Sequence, residues 1–186
     1  NIFLKDSVIK LSYLLKDKKI KNIVFINYAP ELQKFLYWCQ QLIAESLGKK
    51  NMGFFPTISI APKDHHSLLQ LYLDGPKDKL FHIFSPEYDS LKKINSKKVS
   101  KKLNFLNNKT LSNIKTAQKN ALIKAFSKKQ IPFREFKFNK LNEQVLGELF
   151  SYFILETVMI GKMIGVNPFD QPAVEQVKIF TREFLK

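Results

Sequence analysis

Apolar residues recur along this chain with two different periods, and the period switches where turn-forming residues fall. Over 3–17 (FLKDSVIKLSYLLKD) they return every three or four positions, which predicts an amphipathic helix. Residues 21–28 (KNIVFINY) form a short β-branched and aromatic run, the pattern of a buried strand. A long helix is predicted over 30–49, with Pro30 in its first turn and Gly48 as its C-cap. There follow a strand over 56–62, a short helix over 64–76 ended by Gly75 and Pro76, and a strand over 79–86. The lysine-rich 87–105 is expected to be an exposed, irregular or partly helical excursion. A helix over 110–130, a strand over 132–139 and a long, very apolar helix over 142–165 come next. The stretch NPFDQPAVEQVK (167–178) then opens a last helix. Asp170 is its candidate cap, Pro172 fits its first turn, and Ala173, Val174, Val177, Phe180 and Phe184 form one apolar face. No internal repeat is visible.

Strands separated by helices of this length pair in parallel through right-handed crossovers. The predicted fold is therefore α/β, an αβα sandwich around a doubly wound, mainly parallel sheet, with residues 1–186 as a single domain. Ligands of such folds bind at the carboxyl ends of the strands. The segments after Tyr28, Pro62 and Pro86 are thus expected at the edge of a site. The helix over 142–165 is too apolar for an open surface, so another domain or subunit is expected to cover it.

Composition narrows the reading. The 186 residues are 45% hydrophobic, enough for a proper core. No apolar run is read as approaching the length of a membrane span, and no signal-peptide pattern appears, so a cytoplasmic protein without a membrane partner is expected. The single cysteine, Cys39, sits in FLYWCQQL and reads as a small core residue. The net charge of +15 invites a nucleic-acid partner. Yet the basic residues are scattered lysines, and Arg134 and Arg182 are the only arginines. Base readout and bidentate phosphate clamping favour arginine, so no nucleic-acid partner is expected.

Three stretches carry candidate chemistry. In WCQQLIAESLGKK (38–50), Gln41 and Glu45 are four apart and share a helix face. Glu45 lies in the last turn, where a carboxylate meets the negative end of the helix dipole and needs something to offset it. On its own it reads as a solvated glutamate rather than a general base. In APKDHHSLLQLYLDGP (61–76), Asp64 can cap a helix whose first turn holds His65 and His66. The positive dipole end disfavours imidazolium there and suits a proton-exchanging histidine. No ligand set at metal spacing surrounds the pair, so no metal is expected. Lys178, in the final stretch, reads by itself as one more solvated lysine.

Taken together the three stretches resemble the glucose-6-phosphate isomerase family. QLIAESLGK resembles its glutamate motif, DHHSLLQLYLDGP its histidine motif, and GKMIGVNPFDQPAVEQVK its C-terminal signature. The resemblance runs from about residue 8 to the end and implies the second, C-terminal sugar-isomerase (SIS) domain of a two-domain enzyme, of flavodoxin-like architecture. It implies Glu45 as the base that moves a proton between C1 and C2 through a cis-enediol, His66 as assisting ring opening, and Lys178 as working with it near the ring oxygen. Gln41 and Gln171 would contact the sugar phosphate. No cofactor is implied. A homodimer is, with His66 reaching the site of the neighbouring subunit. His65 stands where many members have glutamine, and Ala61 where glycine is usual. The family's Gly-Gly-Arg signature and its Ser/Thr-rich phosphate loop, both of the N-terminal half, are absent from these residues. The chain alone is therefore expected to be inactive. The alternative reading is a non-catalytic sugar-phosphate-binding SIS module, which would have no reason to keep the glutamate, histidine and lysine together.

Overall fold

The computed structural model describes residues 2–17, 19–87, 92–95 and 101–186. Four parallel strands form one sheet in the order β2-β1-β3-β4, with β1 at Asn22–Asn27, β2 at Phe55–Ile60, β3 at Lys79–Pro86 and β4 at Phe133–Phe138. The connections are helical: α1 (Ile2–Asp17), α2 (Gln33–Leu47), α3 (Asp64–Ser67), α4 (Leu69–Asp74), α5 (Leu111–Lys128), α6 (Glu143–Ile164) and α7 (Pro172–Phe184). The αβα sandwich read from the sequence is the observed architecture.

The central strands carry apolar residues on both faces because both their faces are covered. Ile23, Phe25, Leu80 and Phe84 point to the layer of α1, α2 and α6, with Leu11, Leu36, Leu149 and Phe153. Val24, Ile26, Phe81 and Ile83 point to the layer of α4 and α5, with Tyr72, Leu122 and Phe126. Cys39 lies in the first layer with no exposed surface, and burial pushes its thiol far above the ordinary range, so it is an inert core group.

Several local expectations are corrected. The helix expected over 64–76 breaks at Leu68 into α3 and α4. Asp64 lies inside the first turn, and its carboxylate accepts hydrogen bonds from the Ile60 amide (2.7 Å) and the Ser59 hydroxyl (3.1 Å), tying α3 to the end of β2. The N-cap of α7 is Gln171, whose side chain donates to Glu45 and makes no cap bond, while Asp170 pairs with Lys49. Of the excursion expected over 87–105, residues 88–91 and 96–100 lie outside the described residues, and Lys101–Leu106 is a 3₁₀ turn. α6 is, after all, long and apolar enough to cross a membrane. Its buried face carries Glu156, however, and the helix lies against α1 and α2.

Glu156 is 2% exposed and anchors a polar network within the first layer. Its two oxygens take Arg134 Nη1 and Nη2 at 2.6 and 2.8 Å, and Ser7 and Tyr152 also donate to it. Burial pushes the carboxyl pKa up. The Arg134 charge and these hydrogen bonds outweigh that and leave it lowered. One fork thus joins α1, β4 and α6.

His82 on β3 is wholly buried beside it, with Nδ1 3.3 Å from Arg134 Nη2. A cation on that side makes Nδ1 the acceptor, so Nε2 carries the proton, and among the described residues Nε2 has no partner. Burial first, and the Arg134 charge second, hold His82 well below the ordinary histidine value. The folded protein therefore stays neutral here while the unfolded chain takes up a proton. Stability should be fully present above pH ~6.5 and fall on acidification towards the lowered folded value, by about 1.4 kcal/mol per pH unit for this one group. Urea unfolding between pH 6.5 and 5 should show His82→Leu flattening that slope by one proton. Equal slopes in both proteins would refute the assignment.

Candidate active site

Parallel pairing decides where the candidate residues go. α2 joins the carboxyl end of β1 to the amino end of β2, so it runs back against the strands. Its last turn lies at their amino ends, where Gln40 Nε2 donates to the Pro56 carbonyl at 2.8 Å. α6 follows β4 and runs back in the same way, delivering the 165–171 loop to the same edge. Gly165 makes that delivery possible. It closes α6 at φ 76°, and the Val166 amide then reaches the Gly161 carbonyl at 3.0 Å. Gly161 leaves room for Pro168, which would stand only 3.1 Å from a Cβ there.

The loop meets α2 at Glu45. Gln171 Nε2 donates to one carboxylate oxygen at 2.6 Å, and Gln41 Nε2 to the other at 3.0 Å. Both oxygens of a half-buried carboxylate are thereby oriented by neutral amides from two elements 126 residues apart in sequence. The dipole mismatch foreseen for Glu45 is offset from the same helix end, where Lys49 Nζ donates to the Ser46 carbonyl at 3.3 Å. Lys49 also holds Asn167 O at 2.5 Å and Asp170 Oδ1 at 3.1 Å, and Lys50 donates to Gly165 O at 3.0 Å.

The histidines lie at the other end of the sheet. α3 follows the carboxyl end of β2, and a six-residue strand spans about 20 Å. The expectation that Glu45, His66 and Lys178 all lie near the carboxyl ends, where ligands of such folds bind, is corrected for Glu45: the return direction of α2 takes it to the amino ends. His66 is exposed. His65 is half-buried, its Nε2 2.8 Å from the hydroxyl of the buried Tyr28. Burial lowers its pKa, against an opposing pull from Asp64. The lowering comes from lost water rather than from a helix dipole, since α3 is only four residues long. Lys178 lies two turns into α7, its ammonium 2.6 Å from Glu175. No residue of α7 is buried, so its apolar face of Val174, Val177, Phe180 and Phe184 is open. Of the five residues named from the sequence, the fold joins Gln41, Glu45 and Gln171.

A groove of about 1590 Å³ runs along the free edge of β4 between α1 and α6, and none of those five residues lines it. Among the described residues no three His, Cys, Asp or Glu side chains converge as a metal would require. Two features escaped the sequence reading. Lys49 closes the quoted QLIAESLGK motif, so its position was visible. The Arg134–Glu156 pair had no such signal, because β4 also carries Glu135 and Lys137 and α6 also carries Glu143, Glu148 and Lys162.

No protein-family model matches the chain. A glucose-6-phosphate isomerase of Mycoplasmopsis synoviae is 38% identical over 170 residues, which is 89% of this chain and 39% of that protein. One of Methanocaldococcus jannaschii is 34% identical, over 89% of this chain and 41% of the relative. This chain is a glucose-6-phosphate isomerase homologue. The homologue spans about 40% of the length of the curated relatives it matches. Its fold is that of a hypothetical protein from Thermus thermophilus, with TM-score 0.84, 28% identity and coverage of 96% of this chain and 45% of the other. A glucose-6-phosphate isomerase from Chlamydia trachomatis shares the fold at TM-score 0.73 and 18% identity, over 89% of this chain and 34% of its own.

Proposed function

We propose that this chain is the C-terminal sugar-isomerase domain of a two-domain glucose-6-phosphate isomerase, and that Glu45 is the base of its aldose–ketose step. The observation that carries the reading is the carboxylate of Glu45 held at both oxygens by Gln41 and Gln171, the two glutamines that the motifs assign to the sugar phosphate. Glu45 takes the C2 proton of the open-chain aldose while O1 gains one, giving the cis-enediol. It then returns a proton to C1 as O2 releases one, giving the ketose. No oxidant or cofactor enters this balance.

His66 and Lys178 serve ring opening in this reading. The separation of Glu45 and His66 across the sheet supports a homodimer in which His66 reaches the site of a second copy. The open apolar face of α7 supports a further surface laid against it, and a further domain would grip the phosphate. That anchoring belongs to the reaction, because binding energy from non-reacting groups of a substrate is what drives the chemistry. Such an enzyme would act in glycolysis and gluconeogenesis in the cytoplasm.

The test is to follow glucose 6-phosphate in deuterated water, with the complete polypeptide that carries this chain and with residues 1–186 alone. The complete polypeptide should form fructose 6-phosphate and exchange the C2 proton with solvent, and residues 1–186 should do neither. No isomerisation by the complete polypeptide overturns the function. Comparable turnover by residues 1–186 overturns the division of labour between domains.

A further inference from the structure

We propose that Lys49 is a positioning residue for Glu45: by clamping the 165–171 loop to the end of α2, it sets the angle at which Gln171 meets the carboxylate. The inference rests on the reading of Glu45 as the base. An ammonium has three N–H donors, and here each has an acceptor: Ser46 O on α2, and Asn167 O and Asp170 Oδ1 on the loop. The Lys49 side chain is only 12% exposed, although the Asp170 carboxylate it meets is half open to water. The hydrogen bond from Lys49 is also the largest cause that lowers the Asp170 pKa, which favours the carboxylate form that the clamp uses.

Geometry makes the clamp matter. Asp170 directly precedes Gln171, whose amide is 2.6 Å from Glu45. Glu45 directly precedes Ser46, whose carbonyl Lys49 also holds. One cation thus grips the chain neighbour of each partner in the Gln171–Glu45 bond. Nothing else described holds Gln171 so closely. α7, which it begins, buries no residue, and the loop's other tie to α2 is the exposed Lys50 bond to Gly165. Without Lys49 the Gln171 amide would be free to swing with α7, and the carboxylate would lose its fixed orientation. A small misplacement of a reacting group costs up to about 100-fold in rate.

The test has two readouts. In the chain itself, Lys49→Met keeps the aliphatic stem and removes the donors. Backbone hydrogen exchange over 166–172 should speed up at least about tenfold, while the amides of β1 and β3 keep their protection. In the complete isomerase, Lys49→Met should lower kcat by about 10–100-fold with KM little changed, and C2 proton exchange should fall in parallel. Added to Glu45→Gln, it should cost nothing more, because it acts through Glu45. Should Lys49→Met not fold, Asp170→Asn removes one anchor at an exposed position and should show the same pattern at smaller size. Unchanged loop exchange overturns the proposal, and so do losses that multiply independently with those of Glu45→Gln. If Glu45→Gln alone leaves C2 exchange intact, the reading of Glu45 as base fails, while loop exchange in Lys49→Met still decides the clamp.

Discussion

Under the proposed function, Glu45→Gln in the complete polypeptide is expected to lower kcat by about 10²–10⁴-fold and to leave KM nearly unchanged. Glutamine has almost the same shape and keeps an oxygen for one of the two amide donors, Gln41 or Gln171. What it lacks is the basic oxygen that takes the C2 proton in the proposed mechanism. The loss should therefore appear equally in C2 proton exchange and in overall isomerisation, and equally for closed-ring and open-chain substrate. Lys178→Ala should behave differently. If it serves ring opening, its loss falls on closed-ring glucose 6-phosphate and spares the open-chain sugar, which needs only the enediol step. The two variants measured on both substrate forms separate the roles. Near-normal C2 exchange in Glu45→Gln removes Glu45 from the chemistry.

Arg134→Met should cost about 3–5 kcal/mol of stability, because it leaves the Glu156 carboxylate buried without its cation. Only the hydroxyls of Ser7 and Tyr152 would remain on it. For a chain of this size that is a fall in Tm of roughly 6–20 °C. The double variant Arg134→Met/Glu156→Leu should recover most of it, since a matched apolar pair removes the desolvation cost with the charge. Thermal and urea unfolding of the three proteins would check this. A single-variant cost below about 1 kcal/mol would mean that water or a side-chain shift relieves the stranded carboxylate. The sign with pH follows from the lowered Glu156 pKa. The pair's contribution is present above the ordinary glutamate range and is lost as pH falls through the depressed folded value. The effect reaches the candidate site, because the pair fixes α6, and α6 ends in the loop that carries Gln171.

Much was legible in the residues because it is local. Continuous apolar runs announced β1 and β3, which are covered on both faces, and the helical periods of α1, α2, α5 and α6 follow from burying one stripe against the sheet. Gly165 and Pro172 mark where α6 must stop and α7 can start, since each needs only its own backbone angles. The motifs named Gln41, Glu45 and Gln171, which the fold brings together. What no local pattern carries is direction. Whether Glu45 meets Gln171 or His66 depends on α2 running back against β1, which parallel pairing of β1 with β2 imposes and which puts Glu45 at the amino ends of the strands. The partner of Asp170 was open for the same reason. A capping role needs only neighbours in sequence, whereas the ammonium of Lys49 reaches it only once α2 and α6 end side by side. Arg134 and Glu156 are likewise two charges among several in their elements, and become one buried pair only when β4 and α6 come into contact.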